Sequence, residues 1–131
     1  MLALAGCATD YAGDNKKDFV AKGNQICRDT GAIVVPTLKD LVQTVHVPTM
    51  AELRSFVGDV AVPALEKRVE KLRQLEPPSG DRQTIADIIR KSQKAIDQIS
   101  SDPKQLTDGD PFLEANVEVQ SYGLTACELG T

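Results

Sequence analysis

Three residue classes in this chain have chemical reach and are few enough to read one by one: three cysteines, one histidine and a cluster of carboxylates. The cysteines are Cys7, Cys27 and Cys127. The single histidine, His46, excludes any Ser-His-Asp, Cys-His or multi-histidine zinc arrangement that needs a second imidazole. Its place beside Pro48 at a turn reads as a surface residue. Asp102, Asp108, Asp110 and Glu114 crowd one segment, and carboxylates invite calcium. An EF-hand loop, however, needs glycine at its sixth and glutamate at its twelfth position, and Asp108-Gly109-Asp110-Pro111 does not keep that spacing. Solvation of a loop, with Asp110 capping the next helix, is the simpler role. There is no glycine-rich phosphate loop, no C-x-x-C pair and no nucleophile elbow. No pair of carboxylates has a distinctive spacing. The expectation is a protein that is not an enzyme and that holds no metal or cofactor.

The first cysteine has a context. Leu4-Ala5-Gly6-Cys7 resembles a bacterial lipobox, at which a dedicated peptidase cuts before a cysteine whose thiol carries lipid. The resemblance implies an acylated Cys7. It departs from the family pattern in that only six residues precede Cys7 and none is basic, whereas a leader has a basic start and roughly 7–15 apolar residues. The reading therefore calls for a start upstream of Met1. If Met1 is the true start, the alternative is an intracellular helical protein. On the lipoprotein reading, residues 1–15 form a leader remnant and a flexible tether, with polar, turn-rich Thr9 to Asn15 as its linker. Residues 16–131 form the folded domain. With Cys7 lipidated, Cys27 and Cys127 remain as an even pair. In an exported protein they read as a disulfide joining the two ends of the domain; in a cytosolic one they are two buried thiols.

Composition narrows the rest. At 131 residues, 41% hydrophobic and 26% charged, the chain is one globular domain rather than a disordered one. Aromatics are 4%, too few for a base-stacking surface. Fifteen basic against nineteen acidic residues leave a net charge of -4, which excludes an electrostatic nucleic-acid binder and disfavours a polybasic membrane clamp. No segment reaches the roughly 20 apolar residues of a membrane span, so membrane attachment is expected through the lipid alone.

The elements that must place these residues are helical. Phe19, Ile26/Cys27, Ile33/Val34, Leu38, Leu41/Val42 and Val45 recur at helical spacing and predict a helix from Lys16 to Val45, capped by Asp14 or Asn15 and kinked at Pro36. Thr49 and Glu52 have capping-box spacing. They open a second helix with Leu53, Phe56/Val57, Val60, Ala64/Leu65, Val69 and Leu72 inward and Glu66 to Arg73 largely solvated, kinked at Pro63 without a shift of phase. Asp81 is placed to cap a third helix bearing Ile85, Ile88/Ile89, Ser92, Ile96 and Ile99. Asp110-Pro111 starts a fourth that runs through Val119 and Tyr122 to Cys127. No strand-like alternation appears. The expected fold is all-α, an up-down-up-down four-helix bundle with proline-kinked first and second helices. A Cys27–Cys127 bridge sets its register, placing Asn116 level with Leu38 and Gln120 level with Val34. The segments before Pro36 and Pro63 echo each other, and the two prolines fall within about a turn of each other. Each frees a carbonyl, at Ala32 and Asp59. The leading expectation is a curved but fully packed bundle; the alternative is a mid-bundle crevice walled by Ile33, Val34, Val60, Ile96 and Val119, with Asn116 and Gln120 as donors.

Phe19-Val-Ala-Lys-Gly-Asn24-Gln-Ile-Cys27, Leu72-Arg-Gln-Leu75-Glu-Pro77-Pro78 and Tyr122-Gly-Leu-Thr-Ala-Cys127 resemble a pattern in small exported helical lipoproteins of actinobacteria. Gly23 stands where that pattern more often has alanine. The resemblance implies a Cys27–Cys127 bridge and a helical bundle at the cell surface, with no established activity. The functional expectation is a non-enzymatic cell-envelope lipoprotein domain, extracytoplasmic and lipid-anchored to the bacterial cell membrane, serving as an interaction module for a protein or envelope partner. The alternative is a small-ligand carrier or sensor using the crevice near Pro36 and Pro63.

Overall fold

Apolar residues repeating every three or four positions, with no alternating segments, leave helices as the way to bury this sequence. The computed structural model describes residues 2–43 and 46–129, with side chains from residue 15 onward. All regular structure among the described residues is helical: α1 (Leu2–Val42), α2 (Met50–Phe56), a π-helical turn (Val57–Ala61), α3 (Val62–Gln74), α4 (Arg82–Ser101), α5 (Gln105–Asp108), α6 (Leu113–Tyr122) and a closing 3-10 turn (Thr125–Cys127).

The first helix is longer than its apolar stripe predicts. It begins at Leu2, so neither Asp14 nor Asn15 caps it, and its backbone is helical through the segment expected to be a tether. No proline precedes Pro36 in the sequence, and the alanines among the first residues are strong helix formers. Pro36 lies inside α1, which continues to Val42.

The capping box at α2 forms as expected. The Glu52 amide donates to Thr49 Oγ1 at 3.1 Å, and the Thr49 amide donates to Glu52 Oε1 at 3.0 Å. The sequence expectation fails one turn later. Ahead of Pro63 the backbone widens into the π turn, where the Val62 amide donates to the Val57 carbonyl. A proline ring in a regular helix clashes with the carbonyl four residues back, and a wider turn relieves that crowding. The extra residue shifts the inward face: Ala61 is buried and Val60 only half-buried. The stripe then continues as Leu65, Arg68/Val69 and Leu72.

Asp81 precedes α4 without making a side-chain cap. Its carboxylate instead accepts the Tyr122 hydroxyl at 2.7 Å. Asp110 does not cap α6 either. It opens a tight turn in which the Leu113 amide donates to its carbonyl, and α6 starts at Leu113. The fourth helix stops at Tyr122 rather than reaching Cys127, because Gly123 turns left-handed at φ 106°. A glycine takes that conformation at no steric cost, and it ends a helix there.

Packing follows. α3 pairs with both α1 and α4, α4 pairs with α6, and the closing turn packs on α1 and α6. The segment after Gly123 thus lies against α1 where the sequence register had placed the last turns of the fourth helix. One part of the core gathers Val34, Phe56, Leu65, Val69, Ile96, Ile99 and Phe112. The other gathers Phe19, Leu72, Ile85, Ile88, Val119, Tyr122 and Leu124 around the two cysteines. Each fully buried side chain of this size contributes about 1.5–3 kcal/mol of transfer free energy. Lys91 and Glu118 add an ion pair between α4 and α6.

Candidate functional site

Cys27 on α1 and Cys127 in the closing turn are both buried and joined by a disulfide with Cα atoms 4.9 Å apart. The residues around the bridge explain how it is positioned. The Phe19 ring meets the edge of Tyr122 with centroids 6.1 Å apart. Lys16 Nζ lies 4.6 Å from the centre of the Tyr122 ring, in cation–π range. Gly23 lets Leu124 come close: a Cβ there would stand 2.6 Å from Leu124 Cδ2. Asn24 holds the main chain of the tail twice, donating to the Gly123 carbonyl at 3.2 Å and accepting from the Ala126 amide at 3.0 Å. Asn116 repeats the device from α6, its amide bonding both the amide and the carbonyl of Leu129. Phe19, Gly23, Asn24 and Cys27 thus meet Tyr122, Gly123, Leu124 and Cys127 in one cluster.

Arg68 completes that cluster from α3. Its side chain is 5% exposed. It donates to the Cys127 carbonyl through Nη1 and to the Cys27 carbonyl through Nη2, each at 3.2 Å. Burial pushes its pKa down to about 10, so the guanidinium is cationic at neutral pH. It is a positively charged bracket under the disulfide.

The residues proposed for the crevice are not brought together as expected. Val34 is buried, while Pro36, Pro63 and Gln120 are exposed and Ile33 is 56% exposed. Asn116 is buried, but its amide is committed to Leu129. Between α3, α4 and α6 the interior holds a cavity of only about 20 Å³, bordered by Ile96, Val119 and Asn116. The register behind the crevice assumes a straight fourth helix, whereas the chain reverses at Gly123 and the closing turn packs on α1 and α6.

A larger concavity opens beside α1, past Pro36. It encloses about 540 Å³. Val34, Phe56, Leu65, Ile99 and Phe112 form a buried floor, and Val35, Val42 and Lys39 stand on the α1 side of its mouth. Asp110 and Glu128 stand on the other side. Val35 and Val42 are 42% and 58% exposed, an apolar rim open to solvent. Its described walls offer no nucleophile–base pair; they combine apolar surface with a few charges, the composition that ligand sites share.

Elsewhere the candidate groups make local contacts. His46 Nε2 lies 3.2 Å from Glu52 Oε1. Asp102 accepts from the Lys104 amide and from Gln105 Nε2, and Glu114 faces Lys94 at 3.9 Å. No group of His, Cys, Asp or Glu among the described residues is placed to hold a metal ion. None of the described helices is long and apolar enough to cross a membrane. The Cys7 side chain lies outside the described residues. Sequence reasoning missed Arg68, although its spacing, three after Leu65 and four before Leu72, already put it in the inward stripe. Comparison with protein-family models, with curated proteins and with solved structures finds no match for this chain.

Proposed function

We propose that this chain is the folded body of a cell-envelope lipoprotein, held to the bacterial membrane by lipid on Cys7, that binds a protein or envelope partner and performs no catalysis. The observation that carries the reading is the Cys27–Cys127 bridge. Disulfides persist in oxidising compartments, and export is what the lipobox resemblance at Leu4-Ala5-Gly6-Cys7 implies. The two arguments are independent, one resting on a short sequence near the start and the other on residues 100 positions apart. On this reading α1, α2–α3, α4 and α6 form an up-down-up-down bundle bent at its prolines. Phe19 beside Tyr122 and Val34 beside Phe112 support opposite directions for α1 and α6.

The partner-facing surface in this proposal is the α1 groove, because it joins a buried apolar floor to exposed valines. The test uses the precursor with its upstream leader. Cys7→Ala should move the protein from the membrane to the soluble fraction, and intact mass of the wild type should show acyl chains and a formed disulfide. Membrane retention of the variant would refute the anchor. Val35→Asp with Val42→Asp, both at exposed positions, should abolish partner crosslinking in cells while leaving the melting temperature unchanged. Undiminished crosslinking would move the interface elsewhere.

A second reading has its own observation. The groove volume of about 540 Å³ falls within the roughly 300–1,000 Å³ of small-molecule sites, so a carrier or sensor of an apolar small molecule is the alternative. An apolar fluorescent probe such as anilinonaphthalene sulfonate distinguishes the two. Saturable binding lost in the same double variant supports the carrier, and its absence supports the interaction module.

A further inference from the structure

The groove beside α1 carries opposite charges on its two walls. On the α1 side Val35, Lys39 and Val42 follow one another at helical spacing, so they share one ridge of the helix. Asp110 and Glu128 stand on the facing wall. Lys39 and Asp110 are exposed and Glu128 is half-buried. None of the three takes part in an ion pair among the described residues. The groove thus lacks an occupant that brings apolar side chains to its floor and a cation to its acidic wall. The α1 ridge of a second copy, two valines about a lysine, has that composition.

Symmetry decides whether two copies can satisfy each other. In a two-fold interface the same patch meets itself, so every contact is made twice. An axis lying in the interface along the groove exchanges the two walls. It sets the cationic wall of each copy over the acidic wall of the other. An axis across the groove would instead lay α1 on α1, cation beside cation. Opposite charges select the first arrangement. Height agrees with it. Val34 and Phe112 share the floor, and where α1 and α6 run in opposite directions, residues after Val34 lie level with residues before Phe112. Lys39 and Asp110 both lie on that side. The same axis leaves the two α1 helices pointing one way. Cys7 lies near the start of α1, so lipids on both copies enter one membrane.

We propose that the α1 groove is the interface of a two-fold dimer of this chain, in which the ridge of Val35, Lys39 and Val42 of each copy closes the groove of the other and Lys39 faces Asp110 and Glu128 across it. The inference rests on the reading of this groove as the partner-facing surface and names the partner as a second copy.

The experiment uses the full, oxidised chain with Cys7→Ala, so that neither lipid nor a free thiol joins two copies. Sedimentation equilibrium over a concentration series should show the mass of one chain giving way to that of two. Lys39→Glu should raise the dissociation constant about tenfold at each of the two equivalent contacts, about a hundredfold together. Asp110→Lys with Glu128→Lys should do the same. Mixing the two variants should restore the dimer, because both contacts of the mixed pair again join opposite charges. Circular dichroism melting checks that each variant is folded. A wild type that is monomeric at every concentration refutes the dimer whatever the variants do. Dimers of either variant alone as tight as wild type, or a mixture that stays monomeric, overturn this interface. If the wild type is monomeric and Val35→Asp with Val42→Asp still abolishes crosslinking in cells, the groove takes a different protein; failure of this inference is thereby distinct from failure of the groove reading.

Discussion

Breaking the disulfide without removing its sulfurs is the most direct test of the architecture. The bridge closes a loop of 100 residues, and for a loop of that length the chain-entropy model gives about 4.7 kcal/mol of stabilisation, acting chiefly on the unfolded chain. For a domain of this size 1 kcal/mol corresponds to roughly 3–5 °C in the unfolding midpoint, so reduction should lower it by about 14–24 °C. The fold itself should persist at low temperature, because the tail keeps its other ties: the Asn24 and Asn116 side chains and the Arg68 bond to the Cys127 carbonyl. The assay is circular dichroism melting with and without dithiothreitol. It is accompanied by hydrogen exchange at the Ala126 and Leu129 amides, which should stay protected in the reduced protein well below its midpoint. Cys27→Ala with Cys127→Ala serves as the irreversible counterpart and should add the cost of lost core volume. A midpoint change under about 5 °C on reduction, or immediate exchange at both amides, would refute the reasoning.

Asn24→Ala should cost about 1–3 kcal/mol, because it leaves the half-buried Ala126 amide and Gly123 carbonyl without their partner; chemical denaturation at constant m-value checks this. Tyr122→Phe should cost about 0.5–1.5 kcal/mol at neutral pH through loss of the bond to Asp81. It should also change the alkaline limb. Burial first, then Asp81, raises the phenol pKa above the ordinary 10.0. The neutral phenol's contribution is therefore complete below about pH 10 and lost as pH climbs toward the raised value. Melting curves from pH 9 to 11 should fall more steeply for wild type than for Tyr122→Phe; Arg68 has the opposite sign there but is common to both. Thr49→Ala removes the cap that opens α2 and should cost about 1 kcal/mol, visible as faster exchange of the Glu52 amide.

Periodicity made α1, α3 and α4 legible because their inward residues repeat along a whole helix. The capping box was legible because two side chains at fixed spacing answer two backbone amides. What escaped was set by single backbone events that no stripe encodes. The π turn before Pro63 is one: a proline can kink a helix, stop it or widen it, and the stripe does not say which; here the turn buries Val57 and Ala61 and packs on α1 and α4. Gly123 is another. Tyr122-Gly123 fits the end of a helix as well as its middle, and the outcome rests on Leu124, which is 1% exposed and seated over Gly23.

That second event moved the site as well as the helix end. The sequence register assumes a fourth helix that continues straight to a Cys127 level with Cys27. With the chain reversed at Gly123, the tail runs alongside α1, and the Arg68 guanidinium can reach the carbonyls of both cysteines at once. Between α3, α4 and α6 the interior then keeps a cavity of only about 20 Å³, while the open groove lies beyond it, between α1 and the segment leading into α6. The course of the tail therefore depends on this one glycine. Gly123→Ala tests this dependence: forcing a side chain into φ 106° costs about 1–2 kcal/mol. It should loosen the tail, seen as faster exchange at Ala126 and Leu129, before it affects α3 or α4. Uniform destabilisation with tail protection unchanged would show that the closing turn is held by its anchors alone and not by the conformation of the glycine that precedes it.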